Sequence, residues 1–398
     1  MLFRSVIFYE NEHGLLDGDP NQEGFYLSTS WSPARSGVVS LNMVYEMMSA
    51  QNVEQGMDLL GRLETSWNWV LADRHGNIGY QMSGLMPSRR EGTRGFVPLP
   101  GWEQANDWKG FVPHVELPRC YNPERGYFCT ANDDLNGLGK EKPINMTMGE
   151  YRSRRISALL EEKNDFVVQD MFPMHFDVYS IQAQEYLEIL RPLLPDTPQG
   201  KILREWDCRY SLDSKGAYLF EIFYAGLLES IVGDSLGKKT VRYLIEHTEI
   251  VMAFHCHFDR IMLSEDSKWF GGKKREDIWR KVLEECLNVE PVPWGETRKI
   301  LFKNIMMGQK FPKWFGFDRG PISLLGGRAT IHQGQIYEAA GRTTTFAPSY
   351  RMVTDLGKDE IHTTIAGGPS DRRFSKWYCS ELENWKNGQY KTIKCGAI

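Results

Sequence analysis

Residues 65–80 read TSWNWVLADRHGNIGY, and the reading of this stretch decides the fold. Apolar and polar residues alternate on both sides of Asp73, Arg74, His75, Gly76 and Asn77, which carry the chemistry of a tight turn with Gly76 or Asn77 at positive φ. The spacing predicts a β-hairpin. Ser66 at its mouth raises the question of a nucleophile, but a hydroxyl at its free pKa attacks only with a base at hand. His75 lies inside the turn and is directed to solvent, so Ser66 is assigned no catalytic role and reads as the entry to a sheet.

Outward from the hairpin the chain has three textures. Residues 1–150 are rich in Gly, Pro and aromatics, with short alternating runs such as GFYLSTSW (24–31), and are interrupted by one predicted helix, MVYEMMSAQNVEQGMDLLGRL (43–63). Residues 151–290 change to a helical period in YRSRRISALLEEK, VQDMFPMHFDVYSIQAQEYLEILRPLL, SKGAYLFEIFYAGLLESIV and REDIWRKVLEECL, each with an apolar stripe. Strand texture returns over 291–398 in GGRATIHQGQIYEAA, PSYRMVTDL and IHTTIAGGP. Strand, helix, strand predicts an α+β fold in which the last third adds to the sheet begun in the first.

A 398-residue chain with 41% hydrophobic and 25% charged residues is long enough for a large core. Its net charge of -5, with scattered Lys and Arg, lacks the clustered positive face that nucleic acid requires. The short basic runs Arg152-Ser153-Arg154-Arg155 and Lys273-Lys274-Arg275 read as solvated helix faces or termini. No stretch reaches the ~18 apolar residues of a membrane span, and Met1 to Phe8 is too short for a signal peptide. The cysteines at 120, 129, 208, 256, 286, 379 and 395 include no Cys-x-x-Cys pair and fit reduced thiols, with Cys120–Cys129 left open as a pair.

Phosphate loops, dinucleotide fingerprints, His-Glu-x-x-His and Gly-x-Ser-x-Gly are all missing. His255-Cys256-His257 with Asp259 is the one cluster resembling metal ligands, and no second ligand pair accompanies it, so these read as partly buried helix or loop residues. GYFCTANDD (126–134) ends a β-forming run at Asn132, whose amide donates two hydrogen bonds without charge. At a strand end facing a cleft it suits a developing oxyanion; read from the residues alone, Asn132-Asp133 is the turn or helix cap that Asn and Asp usually make in such places.

In order along the chain, NWVLADRHGNIGYQMSG (68–84), MPSRREGTRGFVPLPGWEQANDWKGFVPHVELPRCYNPERGYFCTAND (86–133), GEYRSRRISALL (149–160) and LREWDCRYSLDSKGAYLF (203–220) resemble the penicillin acylase family of N-terminal-nucleophile hydrolases. The likeness runs from EHGLLDGD (12–19) to GGPSDRRFSKWYCSELENWKNGQYKTI (367–393), nearly the whole chain. It implies an αββα sandwich of antiparallel sheets between helical layers, incomplete in this chain. It implies amide hydrolysis through an acyl-enzyme formed on an N-terminal serine, whose own α-amino group is the base. Asn132 matches the family's oxyanion-hole asparagine, and Arg152 an arginine that orients the active centre. Met1 and Leu2 cannot be the nucleophile. The serine, the first chain with its acyl pocket and most ligands of the family's calcium site match nothing here. The expectation is therefore a C-terminal part of the large chain, inactive alone, whose partner is the N-terminal part of the same enzyme and whose substrate is an N-acyl amine. The alternative is a non-catalytic scaffold chain that assembles with a separately encoded partner. The family's periplasmic or secreted setting has no signal in this sequence.

Overall fold

The structure, a computed structural model, describes residues 5–35, 37–339 and 342–394. Met1, Leu2 and Cys395 lie outside them. Two compact units divide the chain: Met1–Thr130 with Asp134–Thr147, and Ala131–Asp133 with Met148–Ile398. Among the described residues there are five small antiparallel sheets, each wholly within one unit.

In the smaller unit, Asn68–Ala72 pairs with Ile78–Met82, and that strand with Arg119–Tyr121, as the hairpin reading predicts. Asp73 closes the turn: its Oδ1 accepts the N–H groups of His75 (2.9 Å) and Asn77 (3.0 Å), and Gly76 takes φ 88° with open space around it. The helix expected over 43–63 is two helices, Val38–Met47 and Val53–Gly61. Asn52 separates them, because its extended backbone and side-chain oxygen, which accepts the Gln55 N–H at 2.9 Å, form a new helix N-cap. Apolar periodicity ran across that break unchanged.

The larger unit is built around the helix Lys215–Ile231, whose N-terminus is capped by the Ser214 hydroxyl accepting from Ala217 N–H. Leu219, Phe220, Phe223, Tyr224, Leu227 and Leu228 are all buried against helices Ile181–Leu190 and Arg275–Cys286, with Trp279 and Trp294 completing the core. Fully burying one such side chain stabilises by about 1.5–3 kcal/mol. The strands of the last third pair among themselves: Lys299–Phe302 with Arg319–Ser323, Gln335–Ala339 with Arg342–Phe346, and Tyr350–Asp355, Glu360–Ile365 and Lys391–Lys394 in a third sheet. These ladders are local, where the sequence suggested strands joining the first sheet. Much of GGRATIHQGQIYEAA is irregular, because Thr330 and Gln333 spend their side chains on the carbonyls of His332 and Arg328.

Among the described residues no helix is long and apolar enough to cross a membrane. Cys120 and Cys129, left open as a pair, are not joined by a disulfide.

Candidate active site

After Thr130 the chain passes through a turn made by two short polar side chains. Asp133 Oδ1 accepts the Ala131 N–H at 2.9 Å, and Asn132 takes φ 65°, a left-handed conformation that Asn tolerates better than most residues. The Asn132 carbonyl accepts the Met148 N–H at 2.9 Å, which brings the start of the helix Tyr151–Leu160 alongside.

Arg152, in the first turn of that helix, grips the turn. Its Nη2 donates to Ala131 O (2.5 Å) and Asn132 Oδ1 (2.8 Å) and lies 3.6 Å from Met148 Sδ. A guanidinium only donates, so the amide atom facing it is the carbonyl oxygen. The Nδ2 group is thereby turned away, exposed, and donates to no group among the described residues. A neutral double donor in a fixed orientation is what a developing negative charge on a substrate oxygen needs.

The other members of the basic run are also engaged. Arg154 pairs with Glu185 at 2.6 Å, and Arg155 forks onto buried Asp177 with contacts of 3.1 and 2.8 Å. The reading of this run as a solvated face is corrected: three arginines hold one helix to three different segments, and all three partners are remote in sequence.

Beneath the helix lies a network that sequence reasoning did not find. Asp259 is buried and accepts from the hydroxyls of Tyr151 (3.1 Å), Tyr186 (2.8 Å) and Tyr224 (2.9 Å) and from Gln182 Nε2 (2.8 Å). Burial pushes its pKa up to about 6 even though those hydrogen bonds oppose the shift. Arg328 sits beside it, hydrogen-bonded to Glu221 and 3.5 Å from Gln182 Oε1, while Tyr210 donates to Glu221 at 2.8 Å. Tyr151 thus fixes the helix one residue from Arg152. The four donors to Asp259 lie on three other helices, and no local pattern marks a Tyr as a donor to a distant Asp.

His255, Cys256, His257 and Asp259 share the helix Ile250–Met262. His255 is buried, its Nδ1 is 3.0 Å from Met252 O, and burial lowers its pKa to about 3, so it stays neutral. Cys256 packs under Gly149, where an added Cβ would stand 2.7 Å from the Cys256 Cβ at a φ of +94°. Among the described residues no group of three or more His, Cys, Asp or Glu stands where it could hold a metal ion. Ser66 is exposed at the mouth of the hairpin, and its hydroxyl has no hydrogen bond among the described residues.

A family model, penicillin amidase, matches residues 3–397. The chain belongs to the penicillin amidase family. It is 26% identical over 426 residues to the acyl-homoserine lactone acylase QuiP of Pseudomonas fluorescens (strain Pf0-1), a match covering 96% of this chain and 50% of that protein. It is 25% identical over 406 residues to the penicillin acylase 2 proenzyme of Pseudomonas sp. (strain SE83), covering 96% of this chain and 51% of that one. The chain spans about half the length of the curated relatives it matches. A solved structure, the thermostable penicillin G acylase from Alcaligenes faecalis, superposes with a TM-score of 0.68 at 18% identity, over 99% of this chain and 76% of that one. The α+β fold is that of the solved penicillin G acylase, and the expected family and fold both stand.

Proposed function

We propose that this penicillin amidase-family chain carries one half of the oxyanion hole of an acylase that hydrolyses linear N-acyl amides. The observation that carries the reading is the Arg152 Nη2 to Asn132 Oδ1 hydrogen bond, which leaves Asn132 Nδ2 turned outward and undonated. In the reaction a serine Oγ attacks the amide carbon while the serine's α-amino group, with a pKa of about 8, takes the proton. The carbonyl oxygen becomes an anion held by Asn132 Nδ2 and a backbone N–H. Collapse expels the amine, which takes the proton back, and water then attacks the acyl-enzyme by the same route. Arg152 acts through the Asn132 side chain that it orients, as a positioning residue.

In this proposal the nucleophilic N-terminal serine belongs to a segment outside these 398 residues, and Ser66, whose hydroxyl has no hydrogen bond among the described residues, takes no part. The relatives point to N-acyl amines as the substrate class, with acyl-homoserine lactones and penicillins as the two kinds their names carry. The purified chain is expected not to turn over a chromogenic phenylacetyl or long-chain acyl anilide. Reconstitution with the N-terminal half of a relative is expected to restore turnover that Asn132→Ala removes. Turnover by the isolated chain that survives Asn132→Ala would falsify the reading.

One observation favours keeping a scaffold role in view. The helix Val38–Met47 has a single buried residue, Met43, and leaves Val38, Leu41, Val44 and Tyr45 exposed. Such a face normally has a covering partner. If the partner supplies every catalytic group, Asn132→Ala leaves the reconstituted activity unchanged.

A further inference from the structure

Segments 303–319 and 370–378 form one surface of the larger unit. The first is a loop folded onto its own polar side chains: Asn304 Oδ1 accepts the N–H groups of Met306 (3.1 Å) and Met307 (2.9 Å), and Asp318 accepts those of Asn304 (3.1 Å) and Gln309 (2.9 Å). The second is tied to it, with Arg373 Nε donating to Phe315 O at 2.6 Å and the Tyr378 hydroxyl donating to Phe317 O. Ring contacts run from Phe311 through Phe317 to Phe374, at centroid separations of 5.3 and 6.5 Å.

This loop inverts the usual arrangement. Polar groups are consumed inside it, while Ile305 is 94% exposed, Phe374 83% and Trp314 76%, with Met306 and Trp377 beside them. Ring contacts join Trp314, Phe315, Phe317 and Phe374 into one surface, and an exposed apolar surface of this kind marks an interaction site. Its partner is read from charge. The two segments hold seven Lys and Arg against two Asp, in a chain whose net charge is -5. Among the described residues none of the seven is paired with a carboxylate: Lys310 turns to Met306 O, Arg319 to Gly316 O, and Lys376 lies 4.7 Å over the Trp377 ring. A cleft of about 570 Å³ combines the rings of Phe317 and Phe374 with Arg372, Arg373 and Ser375.

We propose that this surface docks on an anionic phospholipid bilayer. Trp and Phe suit the boundary between headgroups and acyl chains, and Lys and Arg beside them meet the headgroup phosphates. A protein partner fits less well, because lysine is depleted from the centres of protein interfaces and here Lys310 and Lys313 interleave with the apolar residues. The cleft, lined by both aromatic rings and guanidinium groups, suits an anionic amphiphile. The proposal is independent of the hydrolytic reading, and no activity enters its test.

The test sediments the 398-residue chain with vesicles of phosphatidylcholine alone or mixed with phosphatidylglycerol. Binding to the mixed vesicles is expected to be at least about tenfold tighter, to weaken as salt is raised, and to shift tryptophan emission to the blue. Lys310→Glu combined with Lys313→Glu is expected to weaken it at least about twentyfold, each lost cation being worth about 1 kcal/mol at such a surface. Trp314→Ala should remove most of the emission shift, whereas Trp102→Ala, an exposed tryptophan of the other unit, should leave both readouts unchanged. All these side chains are exposed, and unchanged thermal melts separate lost docking from lost folding. Equal partition into both vesicle types, or no partition, overturns the proposal. So does a concentration-dependent dimer that Trp314→Ala dissolves, because a second copy of the chain is then what covers the surface.

Discussion

Two turns of this molecule use the same local chemistry and differ in what surrounds them. At Asp73–Asn77 a glycine takes φ 88°, and an aspartate gathers the backbone N–H groups of the turn. At Ala131–Asp133 an asparagine takes φ 65°, and an aspartate again accepts a backbone N–H. The first turn has open space about its glycine and joins two neighbouring strands. The second is gripped by Arg152 from a helix that is itself held by Asp259, 108 residues from Tyr151. A hairpin needs only its own residues to be a hairpin. An amide becomes an oriented donor only when something remote fixes its oxygen.

Removing the remote support should break that distinction most severely. Asp259→Ala strips the acceptor from three buried hydroxyls and one buried amide, and urea unfolding is expected to register a loss of about 3–5 kcal/mol. Next in size is the chemistry. In the reconstituted acylase Asn132→Ala is expected to lower kcat by about 10²–10³, the effect of losing one oxyanion donor. Asn132→Gly should lose the same activity while the protein stays at least as stable, since glycine accepts the left-handed backbone freely. If Asn132→Gly keeps full turnover, the amide is not the donor.

Asp259 also predicts a pH signature. Its folded pKa, raised by burial from 3.8 to about 6, exceeds the unfolded value, so the native state holds the proton more tightly. The stability this group contributes is fully present below pH 3.8 and falls as pH rises toward and through about 6. Asp259→Asn should flatten the stability profile over that window; a profile unchanged by it would show that the carboxyl titrates normally. Arg152→Met is expected to reduce turnover about tenfold with unfolding midpoints little altered, the mark of a lost orientation (about 1.4 kcal/mol). The smallest effect belongs to the first turn: Gly76→Ala, in open space at positive φ, should cost about 1 kcal/mol by thermal melting and leave turnover untouched.

Legibility in the sequence followed the same division. The hairpin and the helical middle third were readable because each depends on residues within a few positions of one another. The break at Asn52 escaped because an apolar period continues through it and only the cap geometry ends the first helix. Arg154 and Arg155 looked like a solvated run because their carboxylate partners, Glu185 and Asp177, lie 31 and 22 residues away. Asn132 and Arg152 were found through family likeness. Read alone, Asn132-Asp133 remained a turn, and the structure contains that turn as well.

By itself, then, the sequence determined the family, the alternation of strand and helix, and the short-range turns, all of which arise from side-chain periodicity and backbone preference between near neighbours. Tertiary structure alone decided which polar side chains share a site. Arg152 meets Asn132, and Tyr151, Gln182, Tyr186 and Tyr224 meet Asp259, because helix packing brings them within hydrogen-bond reach in a buried, low-dielectric interior. Distances of about 3 Å between residues so far apart in the chain are a property of the packed fold, and no local pattern encodes them.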